Sequence, residues 1–176
     1  MNKELIMNNL RSIQDWPIPG VNFRDVTTLF KDAATLNELS DTLYEMYKDA
    51  GITKVVGIES RGFIMGAILA VRLGAGFVLC RKPGKLPGKI VRESYQKEYG
   101  TDTIEIHEGS IDENDVVLIH DDILATGGTF AAACRLVKKF NPKKVSFNAL
   151  IELVNEGFVG RDALPEDIDV KCLLQL

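Results

Sequence analysis

Residues 116–140 constrain the fold more than any other stretch of the chain. Val116-Val117-Leu118-Ile119-His120 is a dense apolar and β-branched run, the pattern of a strand covered on both faces. It passes through a short glycine-containing turn into residues 129–140, where Phe130, Cys134, Val137 and Phe140 recur at helical spacing. A strand leading straight into an amphipathic helix is the unit from which parallel sheets are built. The alternation recurs along the chain. Residues 54–58, 76–80, 145–150 and 168–174 read as further strands, and 103–107 as an exposed one. Helices are expected over 5–13, 36–50 and 64–73, with Gly51 and Gly74 ending the last two. Pro17, Pro19 and Gly20 make 15–23 a loop, and 81–100, rich in Lys, Arg, Gly and Pro, reads as a long excursion with strand pieces. The expected architecture is α/β: a central, largely parallel sheet flanked by helices.

The bulk properties narrow the class. A chain of 176 residues, 45% hydrophobic, suits one domain over 1–176 with a full core. Its net charge of −4 argues against a protein that grips nucleic acid through its surface field. No stretch is long and apolar enough to span a bilayer, and the N-terminus lacks the apolar run of a signal peptide. Cys80, Cys134 and Cys172 are odd in number and widely spaced, which suits neither a disulfide framework nor a zinc site. They read as thiols in a reducing cytosol, so a cytoplasmic protein without a membrane partner is expected.

Ligands of parallel sheets bind at the carboxyl ends of the strands, which directs attention to the loops after residues 58, 80 and 120. Thr126-Gly127-Gly128-Thr129 is a small-residue turn at a helix N-terminus. Its glycines let the backbone approach a ligand, and the free amides and the helix dipole favour a phosphate. No lysine follows the glycines, so this is not an ATPase P-loop, and a terminal sugar phosphate suits it better. Asp121 and Asp122 would repel a phosphate beside them, so they need another task. Carboxylates accept hydrogen bonds from a sugar diol and stabilise positive charge developing at an anomeric carbon. Phosphate and diol together describe a ribose 5-phosphate.

The other loops carry complementary chemistry. In Glu59-Ser60-Arg61-Gly62, backbone amides and the planar Arg61 fork suit an anion, the alternative being a surface salt bridge between Arg61 and Glu59. Arg81, Lys82, Lys85 and Lys89 concentrate positive charge in an acidic chain. Residues 92–100 are polar and contain Tyr95, Glu98 and Tyr99, as a cover over a water-sensitive sugar would. In 15–25, rigid turns precede Phe23-Arg24, able to present amides and a ring to a flat heterocycle.

The run Val-Leu-Ile-His-Asp-Asp-Ile-Leu-Ala-Thr-Gly-Gly-Thr closely resembles the phosphoribosyl pyrophosphate signature of type I phosphoribosyltransferases, in the form carried by members that act on adenine. Pro19-Gly20-Val21-Asn22-Phe23-Arg24-Asp25, Glu59-Ser60-Arg61-Gly62-Phe63, Arg81-Lys82-Pro83-Gly84-Lys85-Leu86-Pro87-Gly88 and the segment from Tyr95 to Gly100 are similar to segments of the same family in the same order. The likeness covers nearly the whole chain. It implies a purine-salvage enzyme that transfers the 5-phosphoribosyl group of phosphoribosyl pyrophosphate to adenine, giving AMP and pyrophosphate. Asp121 and Asp122 would then hold the diol, and Ala125, Thr126, Gly127, Gly128 and Thr129 the 5-phosphate. Ser60, Arg61, Arg81 and Lys85 would hold pyrophosphate, with magnesium carried by substrate oxygens and water rather than by a protein-built site. A non-proline cis peptide is implied between Glu59 and Ser60. Glu98 would handle a proton near the base, Tyr99 would cover the sugar, and Arg61 would act with them. Within residues 1–30, backbone groups of Asn22 and Arg24 and the ring of Phe23 would receive adenine. A homodimer is also implied. Asn22 and His120 depart from the family, which has an aliphatic residue and Val there, and the chain closes on Leu176 without a Tyr-Glu pair. The alternatives are the same transfer to hypoxanthine, guanine or xanthine, or a non-catalytic regulator that senses phosphoribosyl pyrophosphate.

Overall fold

Helix α1 (Lys3–Asn9) begins where the Asn2 side chain accepts a hydrogen bond from the amide of Leu5 at 3.0 Å. The computed structural model describes residues 1–96, 100–155 and 158–176, and divides into two units, Met1–Met46 and Tyr47–Leu176. The helix expected over 5–13 stops early because strand pairing claims the residues beyond it. Strand β1 (Arg11–Gln14) pairs antiparallel with β2 (Asn22–Asp25), Arg11 opposite Asp25 and Gln14 opposite Asn22. Arg11 and Asp25 close that ladder with an ion pair, and the Thr27 hydroxyl donates to Asp25 at 2.6 Å. The Thr27 bond, aided by Arg11 and opposed by burial, holds the Asp25 carboxyl down at about 2. The end of the expected 15–23 loop is therefore strand. The rest turns through a cis Trp16–Pro17 bond, with the Gly20 amide donating to Asp15 at 2.7 Å. Helix α2 (Thr27–Lys31) was not foreseen. Helix α3 (Ala33–Tyr47) starts ahead of residue 36, where the Asp32 carboxylate accepts from the Thr35 amide at 2.8 Å and its hydroxyl at 2.7 Å.

The second unit is a parallel sheet with helical crossovers. Strand β3 (Lys54–Ile58) leads through α4 (Gly62–Leu73) to β4 (Gly76–Cys80). Strands β5 (Ile90–Gln96) and β6 (Thr101–His107) form a separate antiparallel ribbon within and beyond the expected excursion. Strand β7 (Val116–Leu124) leads through α5 (Gly128–Lys138) to β8 (Lys144–Glu152), and a 3₁₀ turn at Gly160–Ala163 precedes β9 (Asp169–Gln175). The order is β4-β3-β7-β8-β9, parallel throughout. The apolar run in β7 is explained by its place in mid-sheet, where Val117, Leu118 and Ile119 are fully buried. Helix α5 covers one face with Phe130, Cys134, Leu136 and Val137, and Phe130 meets Phe147 of β8 edge to face at 4.8 Å between ring centres. All three cysteines are free. Among the described residues no helix is long and apolar enough to cross a membrane.

His120 ties β7 to β8. It lies opposite Asn148, and its Nδ1 stands 2.8 Å from Asn148 Oδ1, while Asn148 Nδ2 donates to the carbonyl of Lys171 on β9 at 3.1 Å. That orientation places the imidazole proton on Nδ1. The ring is fully buried, and burial lowers its pKa to about 4 against the smaller opposing effects of Asn148 and Asp122. The expected neutral buried histidine is what the fold contains. Because the folded-state value lies below the usual one, the unfolded chain takes up a proton first as pH falls. The contribution of His120 to stability is complete above about pH 6.5 and should decline by about 3 kcal/mol as pH drops to about 4. Denaturant titrations across that interval should show this loss, and His120→Val should flatten it; an equally steep decline in the variant would contradict the assignment.

Candidate active site

Strand β3 sends its crossover to β4 on one side, and β7 sends its crossover to β8 on the other. The connections part between the adjacent carboxyl ends of β3 and β7, and such a switch point opens a crevice in a parallel sheet. The loop after β3 holds residues 59–61, and the turn after β7 holds 125–127. The strand expected to end at residue 120 continues to Leu124, because Asp121, Ile123 and Leu124 stay in register with Ala149, Ile151 and Glu152 of β8. Asp121 and Asp122 are therefore strand residues, and the pleat sends successive side chains to opposite faces. They have different partners. Asp122 is buried and forms an ion pair with Arg61. Asp121 lines a cavity of about 120 Å³ together with Glu59, Arg81, Lys82, Tyr95 and Thr129.

The loop after β3 contains the cis peptide between Glu59 and Ser60 that the family resemblance implies. Its charges pair differently from the alternative considered for Arg61. Glu59 accepts from Arg81 Nε at 3.2 Å, Arg81 Nη2 at 3.3 Å and the Lys82 amide at 2.9 Å, while Arg61 turns to Asp122. The Arg81 bonds are the main reason the Glu59 carboxyl lies below its ordinary range. Arg81 also donates to the carbonyl of Lys85 at 3.2 Å, which fixes the turn of the basic segment and leaves the Lys85 residue exposed. Ser60 is exposed at the tip of the loop. Gly62 lets this loop press against β7: a Cβ there would stand 2.7 Å from the carbonyl oxygen of His120 and 2.9 Å from Asp121 Oδ1.

The turn after β7 is shaped for close backbone contact. Gly127 caps α5 with φ of 77°, and its carbonyl receives the Ala131 amide at 2.8 Å. The amides of the first helical turn, beginning at Gly128 and Thr129, face the N-terminal side, where an anion is favoured. Ala125 is half-buried and Thr126 exposed. Thr129 is held by a group that the sequence reading noted without assigning a contact: the Tyr95 hydroxyl lies 3.0 Å from Thr129 Oγ1 and donates to Asp102 at 3.2 Å, and Asp102 pairs with Lys82. Tyr95 and Asp102 are directly opposite in the β5–β6 ribbon, so ribbon register carries both inward. That pairing is the signal that could have revealed the contact.

Among the described residues no cation forms an ion pair with the cavity carboxylate of Asp121, although Arg61 is near enough to act on it. Burial, and then the neighbouring Asp122, push the Asp121 carboxyl well above its ordinary range. Ligand hydroxyls donating to it would favour its charged form, which suits a diol. Among the described residues no three His, Cys, Asp or Glu side chains converge to hold a metal ion. Asn22, Phe23 and Arg24 belong to the first unit. There β2 carries them, Phe23 meets Trp16 at 4.5 Å between ring centres, and Arg24 donates to Ser12 Oγ at 2.6 Å. Glu98 and Tyr99 lie outside the described residues.

Comparison with known proteins agrees with this geometry. The family model for the phosphoribosyl transferase domain matches residues 25–173. The chain is 66% identical over 176 residues, the whole of both chains, to an adenine phosphoribosyltransferase of Phocaeicola vulgatus. It is similar to the crystal structure of adenine phosphoribosyltransferase from Rhodothermus marinus, with 48% identity, a TM-score of 0.90 and coverage of 98% of this chain and 97% of that one. The structure of the Giardia lamblia enzyme complexed with 9-deazaadenine gives 37% identity and a TM-score of 0.92, covering 100% of this chain and 98% of that one.

The two cradle glycines differ in what they tolerate. A Cβ at Gly128 would meet the Tyr95 ring at 3.8 Å and Thr126 Oγ1 at 3.9 Å, ordinary contacts, whereas valine adds two further carbons to a place already in contact on both sides. Calorimetry with ribose 5-phosphate should find Gly128→Ala within about threefold of the parent and Gly128→Val weaker by about tenfold or more, the range of one overpacked contact. Equal affinities in both variants would contradict the placement.

Proposed function

As the chain belongs to the phosphoribosyl transferase domain family, we propose that it joins adenine to the 5-phosphoribosyl group of phosphoribosyl pyrophosphate, forming AMP and releasing pyrophosphate. The observation that carries this reading is the convergence of three complementary groups at one switch point: the amides opening α5, the carboxylate of Asp121, and the basic loop fixed by Glu59 and Arg81. The amides of 125–129 receive the 5-phosphate. Asp121, with Asp122 behind it, accepts from the ribose hydroxyls and stabilises positive charge on the ring as the bond to pyrophosphate lengthens. Ser60, Arg61, Arg81 and Lys85 receive the departing pyrophosphate, whose charge draws Arg61 and Arg81 from their resident carboxylates. A ring nitrogen of adenine then takes the anomeric carbon, and Glu98 and Tyr99 are assigned the proton and the cover of the sugar.

Magnesium would be carried by pyrophosphate oxygens and water beside the cavity that Asp121 lines. When bound, magnesium would neutralise charge on the leaving group. Adenine as the acceptor base is supported by the relatives, among them the adenine phosphoribosyltransferase that is 66% identical over the whole chain. A cytoplasmic location is supported by the three free thiols, and a homodimer by the family resemblance.

Purified protein supplied with phosphoribosyl pyrophosphate and magnesium should convert adenine to AMP far faster than it converts hypoxanthine to IMP or guanine to GMP. The double variant Asp121→Asn, Asp122→Asn should fold normally and lose turnover by about a thousandfold or more, as expected when charge stabilisation at the transition state is removed. Preference for another base would replace adenine as the substrate. A fully active double variant would refute the role of the acidic pair.

A further inference from the structure

We infer that Gly160 and Arg161 are positioning residues for the 5-phosphate cradle, bracing it from behind; the inference rests on the assignment of the 125–127 turn to that phosphate. The turn and the 3₁₀ segment touch through bare backbone in both directions. A Cβ on Gly127 would overlap the carbonyl oxygen of Gly160 and come within 2.9 Å of Ala163 Cβ. A Cβ on Gly160 would overlap the carbonyl oxygen of Ala125 and come within 3.0 Å of Leu124 Cδ1. No side chain lies between the two segments to absorb a displacement, and close-packed contacts transmit one directly. A shift at residue 160 therefore moves the amides that would face the phosphate.

The brace is itself anchored by an ion pair between the exposed Arg161 and the buried Glu152. Arg161 donates from Nε to Glu152 Oε1 at 2.6 Å, from Nη2 to Glu152 Oε2 at 2.9 Å and from Nη1 to the carbonyl of Val170 at 3.0 Å. Gln175 Nε2 adds a bond to Glu152 Oε2 at 2.9 Å. This bidentate fork fixes orientation as well as distance. Glu152 is 4% exposed and sits directly opposite Leu124, the residue before the cradle, whose carbonyl receives the Leu153 amide at 2.9 Å. Anchor and cradle thus hang from the same pair of strand ends. The brace touches the 5-phosphate side of the site; the pyrophosphate side is built from the loops after β3 and β4. Its disturbance should weaken one subsite and spare the other.

The test measures ribose 5-phosphate and magnesium pyrophosphate binding separately by calorimetry, alongside steady-state kinetics, for Gly160→Ala, Arg161→Gln and Arg161→Lys. Gly160→Ala and Arg161→Gln should weaken ribose 5-phosphate by about tenfold and raise KM for phosphoribosyl pyrophosphate to match, while kcat and pyrophosphate affinity stay within about twofold, the pattern of lost uniform binding. Arg161→Lys, which keeps the charge and one bond to Glu152, should recover part of the loss. Unchanged ribose 5-phosphate affinity in the first two variants would overturn the inference. So would an equal loss of both ligands, which marks a general structural role. A parent protein that binds no ribose 5-phosphate would instead sink the functional reading, and this inference with it.

Discussion

The parallel pairing of β3 with β7 is the constraint on which the site depends. It sets Val56 beside Ile119 and Gly57 beside His120, so the two strands deliver their loops to the same end of the sheet. Their crossovers then leave in opposite directions, which opens the crevice. Gly62 lets the first loop rest on the backbone of His120, and β8 carries the ladder of β7 through the acidic pair. The hydrophobic core beneath is what keeps these strands in register, since a one-residue slip would turn every buried side chain of β7 to the other face.

The charges of the site are already balanced among themselves. Arg61 pairs with Asp122, Arg81 with Glu59 and Lys82 with Asp102. Each of these three cations thus has a carboxylate that holds it in place while no substrate is bound. This limits the cost of keeping charge in a partly enclosed pocket, because a paired and hydrogen-bonded charge is far less unfavourable than an isolated one. It also makes substrate binding an exchange of partners. Asp121 is the exception: it accepts from the Asp122 amide at 2.9 Å but forms no ion pair among the described residues, and burial and its neighbour raise its pKa.

The chemistry-bearing segments of the second unit were legible because they combine strong local signals. The β-branched runs at 54–58 and 116–120, the glycine pair at 127–128 and the ends of α4 at Gly74 all follow from backbone preference and burial. Features that depend on contacts distant in sequence were not legible. The helical pattern over residues 10–13 yields to pairing with Asp25, which nothing local announces. The carboxyl-terminal extension of β7 depends on β8, and with it the opposite facing of Asp121 and Asp122. The link from Tyr95 to Thr129 joins residues 34 positions apart, and the contact of Gly127 with Gly160 depends on a turn after β8. Sequence reading located which groups carry the chemistry; tertiary packing decides which of them meet.

The account is tested most directly by a crystal structure of the protein with AMP bound. It predicts the phosphate at the opening turn of α5, against the amides of 127–129, and the ribose hydroxyls against Asp121. A nucleotide bound elsewhere, with that turn and the acidic strand end unoccupied, would contradict it.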